Sequence, residues 1–206
     1  MTHYKLSFGF LLAGILILSG CGTDDIVNNA SSTAPASTSS TSTTSTPATT
    51  SSAPILASTS ITTASGKTIK VNRTQTGLVF EGYEGKIVLL EIYGDTCPFC
   101  IQSIPIFNNI RAKYPNDVYV IALESYGKLN SAALAQFAAS NGMQYDTVAT
   151  ANSGNMFTFL NELTGYTTNQ GVPAYLIFER DGDLAEYKPP HVPNQAEIDT
   201  FIQGLL

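Results

Sequence analysis

The chain has 206 residues, of which 13% are charged; 16 acidic against 10 basic side chains give a formal net charge of −6, with three cysteines and no tryptophan. Scattered charges of acidic balance argue against a nucleic-acid surface and say little else about partners. No internal repeat is visible, and once the low-complexity stretch below is set aside about 140 residues remain, enough for one domain with a real core.

In chain order, Lys5 supplies a positive flank, residues 6–18 form a short apolar run, and Leu18-Ser19-Gly20-Cys21 closes it with small residues. The run is shorter than the roughly 20 residues of a bilayer-spanning helix. This pattern resembles a bacterial lipoprotein signal peptide and lipobox, which implies a cleaved signal over residues 1–20 and a lipid on Cys21; an uncleaved signal anchor is the alternative. Either way the chain faces the outside of the cytoplasmic membrane; resemblance to Gram-negative sorting signals would let Gly22 after the lipid cysteine direct it to the outer membrane, with the inner membrane as the alternative. From Ser31 to Ser52, seventeen of twenty-two residues are Ser or Thr. Such a stretch cannot bury enough apolar surface to offset its ordering entropy. It predicts a disordered tether over 21–66 whose low-complexity part would average about 30–35 Å end to end; a glycosylated stalk is the other reading.

Residues 67–206 then read as one folded domain. Thr68–Val71 and Leu78–Phe80 are short strand candidates before the buried apolar run at 86–93. A helix follows Cys97, with Ile101, Ile104, Phe107 and Ile110 near a 3.6-residue period, and stops before Pro115. Val118–Leu123 is a second buried strand, Ser131–Ser140 a helix ended by Asn141-Gly142, and Met156–Leu163 a short helix. Tyr175–Phe178 and Leu184–Tyr187 flank Asp181-Gly182, a hairpin signal. Asn194 caps a last helix that carries Ile198, Phe201, Ile202 and Leu205 on one face. Strands alternating with helices predict an α/β layered domain.

Cys97-Pro98-Phe99-Cys100 carries the chemistry, since two thiols two residues apart can close and reopen a small disulfide. Its place at a strand-to-helix turn offers free backbone N–H groups and the helix dipole to a thiolate, and Pro98 suits the first helical position. Around this motif the segment from about 86 to 188 resembles the thioredoxin fold, a mixed central sheet flanked by helices. Glu91 lies six residues before Cys97, at the place of the family's buried carboxylate. Pro105 lies five after Cys100, where the active-site helix kinks, and Gly171-Val172-Pro173-Ala174 is similar to the segment bearing the cis-proline. The additional material at 131–165, an insertion between the active-site βα unit and the cis-proline strand, resembles the TlpA/ResA-like group of membrane-tethered envelope thiol-disulfide oxidoreductases. Thr96 and Phe99 depart from that group's usual Trp and Pro, and CPFC is closer to the CPxC of DsbA-like and glutaredoxin-like proteins.

The chemistry of the parts makes Cys97 the nucleophile and Cys100 the resolving thiol. The resemblance makes Glu91 a buried proton acceptor and donor for Cys100, with a solvent-facing strand carboxylate as its alternative. Pro173 in cis would aim the Val172 backbone at the cysteines, so that Val172, Pro173, Pro98 and Phe99 form the substrate-docking set; an ordinary trans proline is the alternative there. Phe99 cannot donate a side-chain hydrogen bond, which favours a moderate or reducing potential, while Asp95 would raise the Cys97 thiol if its charge points inward. No cofactor or metal is expected. Haem attachment wants His after Cys100 and finds Ile101, a structural zinc needs four ligands and His191 reads as a solvated loop residue, and a peroxiredoxin wants Thr where Gly94 stands. Expected partners are protein disulfides or dithiols in the cell envelope, with the membrane reached through the lipid on Cys21. An oxidant or isomerase of DsbA type remains the alternative direction, and a non-catalytic binding module with a structural disulfide remains the alternative class.

Overall fold

The computed structural model describes residues 53–206; the expected signal peptide, Cys21 and most of the expected tether lie outside them. Eight strands and four helices follow in the order β1 (Ala57–Thr62), β2 (Thr68–Arg73), β3 (Leu78–Phe80), β4 (Ile87–Tyr93), α1 (Pro98–Lys113), β5 (Val118–Glu124), α2 (Ser131–Ser140), β6 (Asp146–Val148), α3 (Met156–Thr164), β7 (Ala174–Phe178), β8 (Leu184–Lys188) and α4 (Gln195–Leu205). The central sheet has the order β6-β5-β4-β7-β8. Its β4-β5 and β5-β6 pairs are parallel, and β4-β7 and β7-β8 antiparallel.

β4 occupies the middle of this sheet because its sequence, IVLLEIY, is aliphatic or aromatic at every position but Glu91; all seven residues are buried. Strand periodicity divides them between two cores. Val88, Leu90 and Ile92 join residues of β2, β3 and α3 on one face. Ile87, Leu89 and Tyr93 join Cys97, Cys100, Phe107 and residues of α4 on the other. Glu91 falls in step with this second set, at odd positions of the strand, so its register alone aims it at α1 and the cysteines.

A second, antiparallel sheet of order β1-β2-β3 covers the first face. The expected tether boundary at residue 66 is corrected here: Ala57–Thr62 is a strand paired residue for residue with Thr68–Arg73. Little in its own side chains announces it, since Ile61 is the one residue of β1 fully withdrawn from water; tertiary pairing overrides the Ser/Thr-rich composition. This sheet leans on the β7-β8 hairpin, where the Leu78 N–H donates to the Gly182 carbonyl at 2.8 Å. Gly182 turns that hairpin at φ 93°, a conformation that needs no Cβ.

Candidate active site

Cys97 is the N-cap of α1, in extended backbone at φ −88° and ψ 111°, and Pro98 opens the helix behind it. Its Sγ accepts a hydrogen bond from the Cys100 N–H at 3.2 Å, one of the helix-start donors that no intrahelical carbonyl can reach. The two sulfurs stand at disulfide distance, with Cα atoms 5.2 Å apart. Cys97 keeps 7% of its surface exposed and Cys100 1%, so only Cys97 meets the outside. Pro98 and Phe99 are exposed beside it, and Pro105 lies inside α1.

The Val172-Pro173 peptide is cis, and the Val172 carbonyl oxygen lies 3.6 Å from Cys97 Sγ. The loop after β8 fastens this corner. The His191 N–H donates to the Pro173 carbonyl at 3.0 Å, and the imidazole packs 5.6 Å from the Tyr175 ring. His191 is exposed as its loop setting implied, and its backbone and ring both brace the cis-proline corner.

Glu91 is 1% exposed, so the solvent-facing alternative does not hold. Its Oε1 accepts from the Ser103 hydroxyl at 2.5 Å and its Oε2 from the Tyr145 hydroxyl at 2.9 Å. Burial pushes the carboxyl up from an ordinary 4.5 to about 7, against the two hydrogen bonds, which pull it down. The Ser103 hydroxyl also lies 2.6 Å from the Cys100 carbonyl oxygen, which links the carboxyl to the cysteine turn. Asp95 is half-buried on the loop before Cys97, and its Oδ1 is buried without a hydrogen-bond partner.

Three participants escaped the sequence reading. Tyr145 lies 54 positions from Glu91 and carries no local signal. Ser103 had one, as a small polar residue on the inward stripe of α1 between Cys100 and Phe107. Tyr126 covers the active-site loop so closely that a Cβ on Gly94 would collide with its ring. The turn holding Tyr126 is tied by buried Glu124, which accepts from the N–H groups of Tyr126 at 2.7 Å and Gly127 at 3.1 Å. Phe99, Ile101, Tyr126 and Val192 are all at least 40% exposed.

Compared by sequence, the chain matches no family model and no curated protein. Compared by structure, it is similar to a secreted disulfide oxidoreductase of Mycobacterium tuberculosis that is homologous to E. coli DsbE, at 17% identity and a TM-score of 0.51 over 71% of this chain and 96% of that one. It is similar also to the thioredoxin domain of a thiol-disulfide oxidoreductase from Bacteroides vulgatus, at 9% identity and TM-score 0.54 over 72% and 96%. StoA from Bacillus subtilis matches at 15% identity and TM-score 0.51 over 72% and 99%. By this likeness the chain has the thioredoxin fold, a mixed central sheet flanked by helices.

Proposed function

We propose that this chain is a thiol-disulfide oxidoreductase of the cell envelope, exchanging the Cys97-Cys100 pair with protein disulfides and working in the reductive direction. The observation that carries the reading is the convergence on one thiol, Cys97, of a helix-start N–H, the cis Val172-Pro173 corner and, beneath its partner Cys100, a buried carboxyl.

In the reduced protein Cys97 attacks as thiolate. A bond forms between its sulfur and one partner sulfur, the partner disulfide breaks, and the other partner sulfur leaves as thiolate. Cys100 then gives its proton to the Glu91 carboxylate and attacks Cys97 Sγ, closing the Cys97-Cys100 disulfide and releasing the second partner thiolate. Two electrons pass to the partner, and the proton on Glu91 returns to a leaving thiolate through water. A dithiol protein of the envelope would restore the reduced pair. Glu91 near half-ionisation at neutral pH and a Phe99 without a donor both withhold stabilisation from the thiolates, which favours the disulfide and hence a reductant. Val172, Pro173, Pro98 and Phe99 offer the partner an extended backbone edge and an apolar contact.

The leader-like residues 1–20 support export, and Cys21 supports a lipid anchor with the domain facing the periplasm. Reduction of insulin by the full chain tests the activity: the wild type turns over, Cys97→Ser abolishes turnover, and Cys100→Ser accumulates a mixed disulfide on Cys97. Turnover that survives Cys97→Ser would remove the proposed nucleophile.

A further inference from the structure

The buried polar cluster beneath the cysteines contains one hydroxyl with two acceptors. Ser103 has a single hydroxyl proton and is fully buried. Two oxygens lie within reach of it, Glu91 Oε1 at 2.5 Å and the Cys100 carbonyl at 2.6 Å. Only one of them can hold that proton at a time. We propose that Ser103 is a positioning residue that transmits the protonation state of Glu91 to the Cys100 backbone by turning its hydroxyl between these two acceptors.

With Glu91 ionised, Ser103 and Tyr145 both donate to the carboxylate, one to each oxygen, and charge-assisted hydrogen bonds of this kind are the strong ones. The Cys100 carbonyl then lacks the serine proton. With Glu91 protonated, its own O–H donates to Ser103 Oγ, and the serine proton turns to the Cys100 carbonyl. The Ser103, Tyr145 and Glu91 hydroxyl donors are satisfied in both states, and no proton leaves the cluster when the hydroxyl rotates. During exchange, the proton that Cys100 gives to Glu91 would therefore arrive together with a new hydrogen bond to the Cys100 backbone. This consequence rests on the proposed exchange reaction; the hydroxyl turn itself does not.

The titratable groups facing Glu91 leave it as the one that changes charge near neutral pH. Tyr145, from the segment before β6, is pushed well up by burial. Tyr93, on Glu91's own strand, is likewise pushed up by burial, with Glu91 itself adding to the rise. Across the sheet Glu91 stands in register with Ala122 of β5 and Tyr175 of β7, and burial pushes Tyr175 up as well. From α1 the cluster meets Cys97 and Cys100, which do not titrate while joined.

Carbon-13 resonances of the Cys100 carbonyl and the Glu91 carboxyl, followed against pH in the full oxidised chain, test the proposal. In the wild type both should titrate together near pH 7, and Ser103→Thr, which keeps the hydroxyl, should do the same. In Ser103→Ala the carbonyl should lose its pH dependence while the Glu91 inflection moves up by about one pH unit or more, the worth of a lost hydrogen bond to a charged group. A carbonyl that titrates as before in Ser103→Ala would overturn the proposal. Because the resonances are read in the resting disulfide form, they decide on Ser103 whether or not the chain turns over a partner.

Discussion

At Glu91 the linkage between burial and pH has a definite sign. The unfolded chain releases this proton near 4.5, while the folded chain keeps it to about 7. Between those values the native state binds the extra proton, so stability falls as pH rises, and above about 7 the loss is complete. The 2.5-unit gap corresponds to about 3 kcal/mol as an order of magnitude. Glu91→Gln should flatten that part of the pH dependence and leave the oxidised protein more stable than wild type at pH 8, as read by urea unfolding at pH 5 and pH 8. An equal fall in both proteins would mean that Glu91 is not the group responsible. The place of Glu91 was legible in the sequence through its spacing of six residues before Cys97, which resembles that of the thioredoxin family's buried carboxylate, with a solvent-facing carboxylate as the alternative. Ser103 and Tyr145 were not, because a carboxyl's partners are set by tertiary approach, which no local spacing encodes.

The legible elements share a strong local signal. The run at 87–93, the 3.6-residue stripe after Cys97 and the Asp181-Gly182 turn each satisfy one period or one turn geometry, and each appears where expected. Asn194 likewise caps α4, accepting from the Ala196 N–H at 2.9 Å. β1 is the element that composition concealed, because a strand of Ser, Thr and Ala with one buried aliphatic looks like the tract that precedes it. Ile61 therefore separates the two descriptions. In a tether, Ile61→Ala would leave stability unchanged. In a strand that buries Ile61 completely against the first core, it should cost about 2–5 kcal/mol, measurable as a lower urea midpoint with an unchanged slope.

For the whole molecule, the proposed arrangement is a lipid on Cys21, a Ser/Thr-rich linker, and a thioredoxin-fold domain whose cysteine pair meets the outside through Cys97. The central claim is that this pair exchanges and does so as a reductant. Equilibration of the full chain against dithiothreitol and glutathione buffers, with thiol trapping and mass-spectrometric readout of Cys97 and Cys100, measures both properties at once. The account predicts ready exchange in the folded protein and a reduction potential near −270 mV or below. A potential of about −120 to −180 mV would reverse the direction of electron flow, and a disulfide that does not exchange while the protein stays folded would contradict the catalytic role altogether.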